Sequence, residues 1–224
     1  MADRSRIRLQ RLLVMALLAA MAYTLAAIAH FVMPPLIPAV PFLKYDPKDI
    51  VVAIGGFLLG PAPAALIALV CALLEMVTIS ETGWIGAVMN LLSTVCFVFP
   101  AAWVYQRKRR LSAAVWGLGG SVVLLCAVMG LWNYLLTPLY MGVPREVLVQ
   151  LLPWILLFNL LKAVTNGALT LLLYKPLRTA LGKARLLPPA EAEGEKRRPV
   201  GVWVVCGAVL LTVLLLVLAL NRII

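Results

Sequence analysis

Lys162 sits inside a long apolar stretch that begins near Trp154, so at ~1.5 Å per helical residue its amine lies about 12 Å into a bilayer. That depth makes snorkelling to the surface difficult. Asn159 and Asn166 stand three residues before it and four after, a spacing that puts all three on one helix face. Asn90 lies six residues into another apolar stretch that starts at Trp84. Asn133 and Thr137 share a face near the end of a third, and Glu75 ends a fourth. Amides both donate and accept hydrogen bonds, and lysine adds a cation. Such a set suits a neutral or partly anionic heterocycle carrying several carbonyls or hydroxyls. Asparagines also join helices within membranes, so each has a plain packing reading beside the binding one. For Lys162 the packing reading needs a counter-charge, and Glu75 is the expected one.

The aromatic residues Phe42, Tyr45, Trp84 and Trp132 fall at the same ends of their stretches. Rings there belong to an interfacial belt, or stack on a bound ring system. The single His30 reads as an interfacial side chain. Cys71, Cys96, Cys126 and Cys206 lie in apolar runs without metal or CxxC spacing and read as packing residues. No Walker A sequence, HExxH, GxSxG or intramembrane carboxylate pair is expected, so no catalytic residue and no metal site is assigned.

These residues need helices to hold them. The chain has 224 residues, 63% hydrophobic and only 13% charged; soluble domains run at roughly 45–50% apolar and about 25% charged. A water-soluble domain is therefore excluded, and the bilayer is the solvent. Apolar runs cover about Leu12–Met33, Ile50–Leu59, Ala62–Thr78, Trp84–Tyr105, Ala113–Leu136, Trp154–Tyr174 and Val200–Leu220. The first is too long for a cleavable signal. Between the first two runs, five prolines from Pro34 to Pro47 enforce a loop. Gly60-Pro61 breaks the second run from the third. The polar stretch 183–199 reads as a flexible linker. The predicted fold is all-α: a polytopic membrane bundle of six helices over 1–182, the linker, and an additional transmembrane helix in 200–224.

The net charge of +11 would suggest nucleic acid in a soluble chain. Here it reports sidedness. Of 20 basic residues, 15 form three clusters: before the first run, at Arg107–Arg110, and after the sixth. Strict alternation places all three clusters on one side, which the positive-inside rule makes cytoplasmic. Lys44, Lys48, Arg145 and Arg222, with Asp46, Asp49, Glu81 and Glu146, go to the other side. A multi-pass protein of the cell membrane is expected, with its N-terminus inside and, for seven spans, its C-terminus outside. Lys162 is the one basic residue left in the membrane.

Several stretches carry a family resemblance. Leu43-Lys44-Tyr45-Asp46-Pro47-Lys48-Asp49-Ile50, Ile54-Gly55-Gly56-Phe57 and Gly60-Pro61 resemble the loop and second helix of the RibU family. These are the riboflavin-binding S components of energy-coupling factor (ECF) transporters. Thr82-Gly83 with Gly86–Asn90, Asn133–Tyr140, Phe158–Lys162 and Tyr174–Leu177 are similar to the same family, so the likeness spans roughly residues 8–180. The resemblance implies a six-helix subunit, without enzymatic activity or cofactor, that captures riboflavin from outside beneath the loop between helices 1 and 2. It implies partners: a transmembrane coupling protein and two ATPase subunits, whose ATP hydrolysis reorients the subunit for release. Family flavin contacts carry over to Asn133, Asn159 and Lys162, and less directly to Asn90 and Tyr45. Small residues spaced AxxxA on helix 1 contact the coupling protein in the family, and Ala16 and Ala20 match them. The last helix departs from the pattern and reads as a lipid-facing addition. Rival readings are an S component for another vitamin or for a flavin phosphate such as FMN, a small membrane enzyme acting on lipid substrates, and a structural scaffold.

Overall fold

The computed structural model describes residues 2–80, 82–142, 144–187 and 200–222. Seven helices follow one another: α1 Ala2–Val32, α2 Lys48–Leu59, α3 Pro61–Thr78, α4 Gly83–Lys108, α5 Leu111–Met141, α6 Arg145–Lys183 and α7 Val200–Leu220. No strand occurs among the described residues. Glu81 and most of the expected linker, 188–199, lie outside them.

The breaks follow backbone chemistry. Pro34 and Pro35 stop α1 because neither offers an amide to continue it. Gly60, at φ 107°, turns the chain between α2 and α3, and Pro61 starts α3 where its missing N–H costs nothing. Gly142, at φ 64°, ends α5. Two expected ends move outward. α5 continues through Pro138 to Met141, and α6 begins at Arg145 rather than near Trp154 and runs through Pro153 and Pro176 to Lys183. Membrane helices tolerate internal proline because neighbouring groups satisfy the freed carbonyls.

Six helices are long and apolar enough to span: all but α2. With 12 residues, α2 rises only about 18 Å, against ~30 Å of hydrocarbon. The Pro34–Pro47 segment covers the missing depth by descending into the bundle. Ile37, Val40, Leu43 and Tyr45 on it are buried. Irregular backbone at that depth is tolerable because it is enclosed by protein. The far end of α2 lies level with the end of α4, where Gln106 Nε2 donates to the carbonyls of Gly56 and Phe57.

The main core gathers Val14, Leu18 and Ala22 of α1, Val52 and Phe57 of α2, Ile67 of α3, and Phe97, Val98 and Ala101 of α4. Gly56 lets α2 sit this close. A Cβ there would stand 2.8 Å from Ala102 Cβ and 3.2 Å from both Ala64 Cβ and Val98 Cγ1. Gly56→Val is expected to lower the unfolding midpoint in detergent, by the equivalent of about 1–3 kcal/mol or more; an unchanged midpoint would refute the close packing. A second cluster joins Ile37, Val40 and Leu43 of the loop to Leu148, Ile155, Phe158 and Leu161 of α6. α7 packs along α6. It is not wholly lipid-facing, because Val213, Val217 and Leu220 rest on that second cluster.

A charge-balanced cavity beneath the descending loop

The end of the bundle where α1 finishes holds a cavity of about 220 Å³. Its walls come from the loop, from α3 and α4, and from the facing sides of α5 and α6. Tyr45, Asn90, Asn133, Asn159 and Lys162 all line it. Three well-separated sequence segments and the loop thus converge as their shared depth suggested. Phe42, Met129, Phe158 and Met89 add apolar wall. His30 lines the cavity too, 3.5 Å from Lys44 Nζ.

The asparagines are oriented by their own helices. Asn133 Nδ2 donates to the Met129 carbonyl at 2.8 Å, and Thr137 Oγ1 donates to Asn133 Oδ1 at 3.0 Å. Asn159 Nδ2 donates to the Ile155 carbonyl at 2.8 Å. These local bonds use part of each amide's capacity of two donors and two lone pairs. They fix the direction of the remainder toward the cavity.

Lys162 does not pair with Glu75. Its Nζ lies 3.1 Å from Asp49 Oδ2 and 3.5 Å from Ser93 Oγ. Asp49 is held in turn by Thr94 Oγ1, at 2.6 Å. Glu75 instead faces Lys48 Nζ at 3.1 Å and accepts from Asn90 Nδ2. Lys48 also bonds Asp46 and is completely buried. Lys48, Asp46 and Asp49 therefore leave the external surface to which alternation assigned them. The cause is the descending loop: it delivers the first turn of α2 into the bundle interior, so three carboxylates and two lysines meet there. With Lys44 at the rim, three cations face three carboxylates.

Tyr45 Oη donates to Asn166 Oδ1 at 2.6 Å, and Asn166 Nδ2 donates to the Asp46 carbonyl at 3.0 Å. Asn166, on the face shared with Asn159 and Lys162, thus grips the loop instead of lining the cavity. Ala16 and Ala20 lie on the exposed side of α1 beside Leu12, Leu13 and Leu17, whereas Ala22 and Ala26 are buried. Among the described residues no cluster of histidine, cysteine, aspartate or glutamate could hold a metal ion.

Residues 10–174 match the family model described as ECF transporter, substrate-specific component, and the chain belongs to that family. It is the substrate-binding S component of a transporter and not an enzyme. Over 179 residues it is 27% identical to the riboflavin transporter RibU of Staphylococcus aureus (strain TCH60), covering 77% of this chain and 92% of that protein. Its fold is similar to a solved structure titled "Structure and mechanism of the S component of a bacterial ECF transporter". That comparison has a TM-score of 0.66 at 28% identity and covers 78% of this chain and 98% of the other. The family match ends before the linker and α7.

Proposed function

We propose that this S component binds riboflavin in the cavity beneath the loop, from the extracellular side, for ATP-driven uptake. The observation that carries the ligand assignment is the charge balance. Lys162 would be the natural partner of a phosphate, but Asp49 already neutralises it at 3.1 Å. Lys48 is likewise committed to Asp46 and Glu75. A neutral ligand with many carbonyls and hydroxyls leaves that balance intact, whereas the dianion of FMN would bring two negative charges with no uncommitted lysine to pair them. Similarity to the S. aureus riboflavin transporter points the same way. Asn133, Asn159 and Lys162 bond the polar edge and ribityl chain, with Asn90 and Tyr45 at the margin. Phe42, Phe158, Met89 and Met129 bury the ring.

The cavity is smaller than the ~300 Å³ at the lower end for small-molecule sites. The loop would swing outward to admit a tricyclic ring, and the loop and flanking side chains would then settle around it with the cavity enlarged. Release needs partners: a transmembrane coupling protein that meets the exposed Ala16–Ala20 face, and two ATPase subunits. The basic clusters support an N-terminus on the cytoplasmic side. Residues 1–182 make up the binding domain, with α7 added through the linker.

Quenching of flavin fluorescence by purified protein tests this directly. Riboflavin is expected to bind below the micromolar range, and FMN about tenfold or more weakly because its phosphate enters a site without surplus cation. No riboflavin binding below micromolar would overturn the assignment. FMN binding at least as tight would move it to flavin phosphates.

A further inference from the structure

The seventh helix lies outside the family match, yet its end touches the loop that moves to admit ligand in the reading proposed above. Its last turns lay Val213, Val217 and Leu220 against the cluster that contains Ile37, Val40 and Leu43 of the loop. Beyond the helix end, Asn221 Nδ2 donates to the Leu36 carbonyl at 3.2 Å and to its own Val217 carbonyl at 2.8 Å. The second bond fixes the amide so that the first is aimed. The other end of the same loop, Phe42–Asp46, lines the cavity. The loop is therefore held at two points. Asn166 grips it at Tyr45 and Asp46 from inside the bundle, and Asn221 at the end of α7 bonds it at Leu36, beside the cluster that α6 and the loop build together.

We infer that α7 is a strut that keeps the loop closed over the cavity, with Asn221 as its positioning residue. No α7 residue lines the cavity; the strut reaches it only through the cluster that holds Leu43 and Phe158. It acts by setting how readily the 36–43 segment opens, and so the rate at which ligand enters and leaves. The gating consequence rests on the riboflavin reading; the strut itself does not.

Two readouts in the full chain separate these. Inside the loop, Val40 N–H donates to the Ile37 carbonyl at 3.1 Å and Leu43 N–H to the Val40 carbonyl at 3.0 Å. Hydrogen exchange at these amides reports loop opening without any ligand. In Asn221→Ala, in Asn221→Asp, which removes the donor while keeping the shape, and in Val213→Ala/Val217→Ala, their exchange is expected to quicken. For the Asn221 variants the factor is about three- to tenfold, the worth of one hydrogen bond. Exchange in α4 serves as the control for folding and should not change. Riboflavin dissociation, followed by recovery of fluorescence, should accelerate by a similar factor. Unchanged exchange at Val40 and Leu43 in all three variants would overturn the strut. Faster exchange with an unchanged dissociation rate would overturn its control of the cavity. Absence of riboflavin binding in the unaltered protein would instead refute the ligand assignment, and the exchange measurements would still decide the strut.

Discussion

Lys162→Met is expected to weaken riboflavin binding by about ten- to a hundredfold, the worth of a charged hydrogen bond. It should also destabilise the protein. The ammonium has three donors; Asp49 Oδ2 balances its charge at 3.1 Å and Ser93 accepts one weak hydrogen bond, which leaves donor capacity for the cavity. Methionine fills the same volume but strands the Asp49 carboxylate, which is 1% exposed. Breaking a buried pair by removing one partner costs about 3–5 kcal/mol. The two effects separate in the double variant Lys162→Met/Asp49→Asn. There the stranded charge is gone, and the amide oxygen that replaces the carboxylate can still accept from Thr94. Stability should recover while binding stays lost. If binding recovers along with stability, Lys162 supports the fold and does not contact ligand.

Lys48→Met is expected to be the more damaging change to the fold, although Lys48 does not line the cavity. It is completely buried and serves two carboxylates at once. Its loss leaves Glu75 without its paired cation and breaks the ion pair of Asp46, so the cost should reach or exceed the ~3–5 kcal/mol of a single broken buried pair. Adding Glu75→Gln should restore part of the midpoint, because the unpaired charge of Glu75 is removed and Asn90 keeps a hydrogen-bonding partner. Thermal unfolding of both variants in lipid nanodiscs measures this. An unfolding midpoint for Lys48→Met equal to that of the unaltered protein would show that the lysine does not hold the loop.

The helices were legible because membrane spans announce themselves by length and apolarity, and their breaks by proline and glycine. Depth along each span was enough to gather Asn90, Asn133, Asn159 and Lys162 without any view of packing. The partner of Lys162 was not legible. Counting depth from helix ends assumes that a loop stays outside, and the Pro34–Pro47 segment does not. Its course puts Asp49 inside the bundle, and nothing local in the sequence specifies that course. The signal that was available is the shortness of the Ile50–Leu59 run, which leaves part of the membrane depth to be crossed by irregular backbone. Proline also misled at Pro153 and Pro138, because membrane helices tolerate the ring within their length. The contact between Asn221 and Leu36 joins residues 185 positions apart, and no periodicity encodes such a pair.

The cancellation of charge around the cavity has an electrical meaning. Moving one elementary charge through the membrane potential is worth about 2.3 kcal/mol per 100 mV. A subunit that turned within the membrane with an unpaired Lys162 would do work against that field, or draw work from it, in every cycle. On the riboflavin proposal, three ammonium groups set against three carboxylates and a neutral vitamin between them would let the loaded site cross the field without net charge. Delivery under that proposal would then draw on the partner ATPases and not on the voltage of the cell.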